Sequence, residues 1–427
     1  MIQPGATLTL DVEKPAAGGR MLARHDGHVV LVWGAIPGER VAARVERVGK
    51  GVAYAETVDV LAPSADRRQP SGDWRCGGNV YAHVAYERQR ALKGEIIRDA
   101  LGRIGRLPLA VAPEVIGSPD RGYRMRARLH VQGGRIGFFR EGSHDLCDAA
   151  PTGQLLPDTA AWIARVEARL GPAGLGGIAS MEVAENIAAS ERVCHLELQS
   201  AVDVNALAAL SMEPGLTGLT ASRVMRPGIE RLSGIPTVTD VLHVTVDTPP
   251  AAVRLRRDVR AFFQGNRFLL QPLVRHVLAR VPGGPVVDLY AGVGLFGLSI
   301  AASGIADVTL VEGDPVSGAD LQGNAEPFGA RAQVRRTPVE EWLGAVTAPG
   351  VATMVVDPPR TGISREAAAG IIRQQPGRIV YVSCDVATLA RDARTLIDAG
   401  YELTEVTGFD LFPNTAHVES VAVLMRT

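Results

Sequence analysis

The sequence predicts an α/β protein in three parts: a doubly wound parallel sheet over residues 254–427, a small β-barrel over 1–62, and a mixed α/β segment over 63–253 between them. Three observations predict it. The chain has 427 residues, more than one hydrophobic core usually serves. From about Arg254, short apolar strands alternate with helical stretches, the pattern of a parallel sheet with crossover helices. Before residue 62, five short alternating strands are separated by glycine turns, which fits a five-stranded barrel of the oligonucleotide-binding type.

The barrel strands are expected at Ala6–Val12, Met21–Arg24, His28–Trp33, Arg40–Val45 and Val52–Val58, with turns at Gly18-Gly19, Asp26-Gly27 and Pro37-Gly38. Asp59 to Asp66 reads as a linker. The middle segment should hold helices over 92–101, 158–170 and 203–213. It also carries an alternating strand, Tyr123–Val131, with arginines on one face, continued as a hairpin by Gly137-Phe138-Phe139. In the last part, a helix over 267–280 leads into strand Val286–Tyr290, a glycine turn, and a helix opening at Leu295. Strand Val308–Glu312, a helix through Asn324 and a short strand near Val334 come next. Strand Thr353–Asp357, helix 366–374, strand Arg378–Ser383, helix 387–398 and two closing strands complete the sheet.

Composition narrows the class. A 46% hydrophobic fraction describes an ordinary globular protein, and no run reaches the 18 apolar residues of a membrane span. The N-terminus lacks a charged head followed by an apolar core, so a cytoplasmic protein is expected, without membrane contact and as a monomer. Net charge is −1 and lysine occurs only at positions 14, 50 and 93, so any nucleic-acid surface must be built from local arginine clusters. The four cysteines, Cys76, Cys147, Cys194 and Cys384, never form a CxxC pair, which speaks against both a structural disulfide and a metal site.

The last part carries the chemistry. Ala291-Gly-Val-Gly294 follows a strand and is too short for the dinucleotide fingerprint, but it lets a cofactor approach the backbone. Glu312 ends the next strand, where a carboxylate can accept hydrogen bonds from ribose hydroxyls. With no phosphate-gripping glycines, the pair points to S-adenosylmethionine. Asp357-Pro-Pro-Arg360 should form a rigid extended lip, since its prolines fix the chain and donate no hydrogen bonds. Cys384 closes a strand just before a helix start, where a thiolate would be favoured. Downstream lie two candidate bases, His417 and Glu419; a histidine beside a strand is commonly packed or at the surface, which favours the carboxylate. A thiol, a carboxylate and a cofactor turn in this order suggest an enzyme that attacks a pyrimidine through sulfur while methylating it.

With these motifs the chain resembles the RNA 5-methyluridine methyltransferase family. Gly19-Arg-Met-Leu-Ala23 and Ile36-Pro-Gly-Glu39 resemble its RNA-binding TRAM barrel. Gly122-Tyr-Arg-Met-Arg126 and Gly137-Phe-Phe139 with Gly142-Ser-His144 match its middle domain. Phe262-Phe-Gln-Gly-Asn266, Asp357-Pro-Pro-Arg360, Val382-Ser-Cys-Asp385 with Thr388-Leu-Ala-Arg-Asp392, and Asp410-Leu-Phe-Pro413 with His417-Val-Glu419 match its catalytic signatures. The resemblance implies a Rossmann-like S-adenosylmethionine-dependent methyltransferase domain beside a central RNA-binding domain. It also implies that Cys384 is the nucleophile, Glu419 the base, and Gln264, Tyr290, Glu312 and Asp357 the cofactor contacts. The partner would be structured RNA, tRNA or ribosomal RNA, with its target uridine flipped out.

The chain also departs from the family pattern. Many members hold a [4Fe–4S] cluster on four cysteines; here Cys76 is kept, Pro70 and Asn79 replace two others, and Cys147 lies close to the expected fourth near Thr152. No cluster is therefore expected, and packing around Trp74, Cys76 and Tyr81 should replace it. Leu295 stands where Asn is common, and Val386 where Pro is usual. Two rival functions are a cytosine-C5 RNA methyltransferase and a catalytically idle RNA-binding protein. The different motifs of the first, and the presence of both Cys384 and Glu419 here, weigh against them.

Overall fold

The structure is a computed structural model that describes residues 2–199, 207, 209–223, 226–245, 251–346 and 350–427. Most of the helix expected over 203–213 lies outside these residues, and its described end is a 3₁₀ turn, Ala209–Met212. No described helix is long and apolar enough to cross a membrane.

The first five strands close a barrel in the order Thr7–Pro15, Met21–His25, His28–Trp33, Val52–Ala62, Arg40–Gly49. Alternation does the work: Val30, Val32, Val41, Ala43, Ala53 and Ala55 point inward and are fully buried, while their neighbours face out. The last strand runs past the expected linker start, because Arg40–Gly49 pairs with it as far as Ala62 through several bulges.

The central sheet has seven strands, among them Arg126–Gln132, Ile178–Glu185 and Arg192–Leu198, with helix Pro157–Leu175 packed on it. The arginine strand is shorter than expected. Tyr123–Met125 leave the ladder so that Met125 N bonds Gly265 O at 2.9 Å and Arg124 bridges to Asn266. Its arginines are also not free for phosphate: Arg126 pairs with Glu182, and Arg128 with Glu197 at 2.7 Å.

One expectation is overturned here: Cys76 and Cys147 form a disulfide, with Cα atoms 5.8 Å apart. The pairing is tertiary. Strand Leu146–Cys147 adds to the sheet edge at Phe138–Phe139, and Cys76 bridges to Arg140 on the same hairpin, so residues far apart in sequence meet. The surrounding loop is tied down by polar contacts that sequence reading did not anticipate. Asn79 Nδ2 donates to Ser71 O at 2.8 Å and Asp73 O at 3.0 Å, and Gln154 Nε2 donates to Gly77 O at 3.0 Å. Cys76 and Tyr81 are fully buried beneath it, while Trp74 is half-buried.

The third sheet has eight strands, with helices on both faces. Its central strands Val286–Leu289 and Thr353–Val356 are buried at every position, as parallel strands covered on both sides must be. Strand Glu419–Arg426 inserts antiparallel between Arg378–Ser383 and Tyr401–Phe409. Two elements from residues 63–253 lie on this sheet: strand Val115–Ile116 extends its edge, and helix Tyr86–Arg103 packs on helix Val386–Asp398. That first helix is longer than its apolar period showed, because its buried face includes Gln89 and Lys93.

Candidate active site

Three parallel strands end level. Leu289 pairs with Val311 on one side and with Val356 on the other, so the next residues, Tyr290, Glu312 and Asp357, share the carboxyl edge of the sheet. Chain order reverses between strands Val286–Leu289 and Thr353–Val356, which opens a crevice there, flanked by Tyr290 and Asp357.

The turn after the first strand is shaped for a ligand. Tyr290 has φ 60°, a left-handed conformation rare for a bulky side chain. Gly292 N donates to Glu312 Oε2 at 2.7 Å, and Asp314 N donates to Oε1 at 2.5 Å. Each oxygen keeps a second lone pair for a ligand hydroxyl. Nothing lies within 4 Å of where a Cβ on Gly292 would stand, so the turn opens on space. Behind it, Asp288 Oδ2 accepts from Gly297 N at 2.7 Å, while buried Oδ1 has no partner among the described residues. Burial pushes the Asp288 carboxyl up to about 8. Tyr290 turns its hydroxyl toward Glu340 Oε1, 3.4 Å away.

Across the crevice, Ser383 pairs with Ser420 in antiparallel register, so the next residues outward, Cys384 and Glu419, face each other. Asp357 lies close to both: its charge raises the Cys384 thiol and the Glu419 carboxyl. Gln264 is buried and hydrogen-bonds Asp357. Its loop is fixed by Asn266, whose Oδ1 accepts from Phe268 N and Leu269 N while Nδ2 donates to Ser118 Oγ and Leu411 O. The six residues singled out from sequence thus line one crevice, Tyr290 and Glu312 at one end and Cys384 and Glu419 at the other. His417 is exposed at its rim.

The electrostatics correct one expectation. Burial, then the charges of Glu419 and Asp357, push the Cys384 thiol up to about 11. The helix start beside it cannot offset this, because Asp385 caps that helix with its own carboxylate, accepting from Ala387 N at 3.0 Å and Thr388 N at 2.9 Å. The charge that does favour thiolate is the Arg360 guanidinium. Burial also raises Glu419 well above the usual carboxylate range, with Asp357 adding to it, and pushes Asp357 itself up to about 7. Glu419 is 2% exposed and its Oε1 has no partner among the described residues, a costly arrangement outside a functional site.

Comparison with known proteins agrees with this geometry. The TRAM domain profile matches residues 3–58, and the tRNA (Uracil-5-)-methyltransferase profile matches residues 346–427. The 23S rRNA (uracil(1939)-C(5))-methyltransferase RlmD of Halomonas elongata is 33% identical over 97% of this chain and 89% of its own length. The chain belongs to the RNA uracil-C5 methyltransferase family. A second family member, the RlmD of Acidithiobacillus ferrooxidans, is also 33% identical, over 97% of this chain and 96% of its own. The solved structure of Pyrococcus abyssi tRNA (uracil-54, C5)-methyltransferase with S-adenosyl-L-homocysteine shares 25% identity and a TM-score of 0.75, covering 98% of this chain and all of that one. As a uracil-C5 methyltransferase the chain uses S-adenosylmethionine. The open glycine turn, the Glu312 lone pairs and the unpartnered Asp288 oxygen fit such a cofactor.

Sequence reading missed the residues that hold this site in shape. Lys93 is fully buried and pairs with Asp410 at 2.5 Å while donating to Phe412 O at 3.0 Å. Gln89 donates to Asn414 Oδ1 at 2.9 Å and accepts from Asn414 N at 2.8 Å; Arg68 reaches the same Oδ1 at 2.7 Å. These contacts pin the loop that leads to Glu419. Asp392 pins the other lip, accepting from Ile363 N at 3.0 Å and Tyr381 Oη at 2.6 Å. Gly362, with φ 74°, leaves room for it; a Cβ there would stand 2.4 Å from Asp392 Oδ2. The only signal in the sequence was that Asp410 and Asp392 recur inside the family signatures.

Proposed function

We propose that this chain methylates carbon 5 of a uridine in structured RNA through a covalent bond between Cys384 and C6 of the base. The observation that carries it is the register that sets Cys384 opposite Glu419, beside Asp357, at the edge of the cofactor crevice. Uracil C5 is a weak nucleophile. Addition of the Cys384 thiolate to C6 moves the C5–C6 electron pair into an enolate, which makes C5 nucleophilic. S-adenosylmethionine supplies the methyl group as a sulfonium electrophile. Glu419, as carboxylate, then takes the C5 proton, the C5–C6 double bond reforms, and the thiolate leaves. Arg360 stabilises the thiolate before addition and after release. Gln264, Tyr290, Glu312 and Asp357 would hold the cofactor, and the target must leave its stack to reach the thiol.

The named relatives favour 23S ribosomal RNA as substrate, and the structural neighbour makes tRNA the second candidate. The test is to incubate the protein with both transcripts and S-adenosylmethionine and digest them for 5-methyluridine. Cys384→Ala should abolish product and keep cofactor affinity. Glu419→Gln should accumulate a denaturation-resistant protein–RNA complex that needs Cys384. Normal turnover by Cys384→Ala would remove the proposed nucleophile.

A further inference from the structure

Four side chains stack on the outer face of the barrel. In the strands His28–Trp33 and Val52–Ala62, Val30, Val32, Ala53 and Ala55 point inward, so Trp33 and Tyr54 face out. Arg47 stands opposite Tyr54 in the neighbouring strand. The Arg20 guanidinium lies 4.8 Å from the Trp33 ring centre and 5.3 Å from that of Tyr54; Arg47 lies 3.4 Å from Tyr54 on its own account. The two arginines differ in one respect. Arg20 is mostly covered and paired with Glu46 at 2.8 Å, with its Nη1 also donating to Ala55 O at 3.0 Å. Arg47 is exposed and has no carboxylate partner among the described residues. An arginine seated on a ring keeps its donors free while losing little freedom on binding.

The stack ends at the catalytic loop. Trp33 and Ala416 both pack against the barrel core, and Gly19 lies between them: a Cβ there would stand 3.1 Å from Trp33 and 3.4 Å from Ala416. His417, the next residue, is at the rim of the crevice. One continuous outer surface therefore runs from Arg47 through Tyr54, Arg20 and Trp33 to the mouth of the site.

We propose that Arg47, seated on Tyr54, anchors a backbone phosphate of the RNA strand that leads to the target uridine. The inference rests on the RNA reading above and adds a specific contact to it. The occupant is a polyanion, since the one free cation of the stack is its outermost member. Tyr54 is a positioning residue that acts through Arg47.

The test measures binding of the full-length protein to one RNA transcript at several salt concentrations, by fluorescence anisotropy. Arg47→Ala should weaken binding several-fold and flatten the log-affinity against log-salt slope by about 0.7–0.9, the signature of one lost phosphate contact. Tyr54→Ala should weaken binding with the slope unchanged, because the charge stays but its seat is lost; Tyr54→Phe should behave as wild type. Arg24→Ala, which removes an exposed barrel arginine paired with Glu13 at 3.5 Å, is the control and should change neither. Arg47 is exposed, so its variant folds even if Tyr54→Ala does not. Wild-type affinity and slope in Arg47→Ala would overturn the proposal, as would equal effects in Arg24→Ala. Because binding is read without methyl transfer, a wild type that binds RNA but methylates no uridine would sink the functional reading alone.

Discussion

At the scale of single residues, the site holds its nucleophile in the unreactive form until something changes. A thiol pushed up to about 11 is almost wholly protonated at neutral pH, and the nucleophile is the deprotonated form. Raising pH from 7 toward 9 should therefore increase kcat/KM steadily. Deprotonation of Glu419, whose carboxyl burial also raises, acts in the same direction. Arg360 is the cation that opposes these shifts. Arg360→Gln should move the rise to more alkaline pH and slow methylation at pH 8 by about tenfold for each unit of displacement. Stopped assays across pH check this, with S-adenosyl-L-homocysteine affinity as the control. A profile that superimposes on wild type would free Arg360 from this role.

At the scale of elements, the two lips of the crevice are held by buried polar pairs that join helices to loops. Lys93 and Asp410 are both fully excluded from solvent, so each depends on the other for compensation. Lys93→Met would leave a carboxylate buried alone, and urea unfolding should show a loss of about 3–5 kcal/mol. Lys93→Met/Asp410→Leu should recover most of that stability, since an apolar pair removes the uncompensated charge. Single and double variants of equal stability would show that the pair does not couple. The same loop carries Asn414 at φ 64°, a conformation that asparagine tolerates better than most residues. Its contacts with Gln89 and Arg68 hold it there.

At the scale of the whole molecule, the barrel is packed onto the catalytic loop through Trp33, Ala416 and the Arg68–Asn414 bond. Removing residues 1–62 should weaken RNA binding by about tenfold or more and reduce its salt dependence, as expected when phosphate contacts are lost. The loop exposed by that deletion should also lower the melting temperature. Titration of wild type and truncate at two salt concentrations tests the first effect; equal affinities and slopes would reduce the barrel to a structural support. The disulfide leads to a separate expectation. With Cys76 and Cys147 joined, protein purified anaerobically should contain neither iron nor acid-labile sulfide. About four irons per chain would contradict it.

Much of this was legible in the linear sequence, for a definite reason. Parallel strands buried on both faces must be continuously apolar, and barrel strands must alternate, so the two sheets announce themselves by period. The residues at strand ends, Tyr290, Glu312, Asp357 and Cys384, follow from where such sheets place their ligands. What the period could not show is any polar residue that is buried because its partner is elsewhere. Gln89 and Lys93 blur the apolar stripe of their helix, and their partners are more than 300 residues away. The thiol's acidity, the bond between Cys76 and Cys147, and the seating of Arg47 on Tyr54 likewise depend on distances between elements. The sequence by itself determined the elements and the order of the chemistry along the chain; only the tertiary structure decided which charges face one another, because Coulomb and desolvation effects act through space.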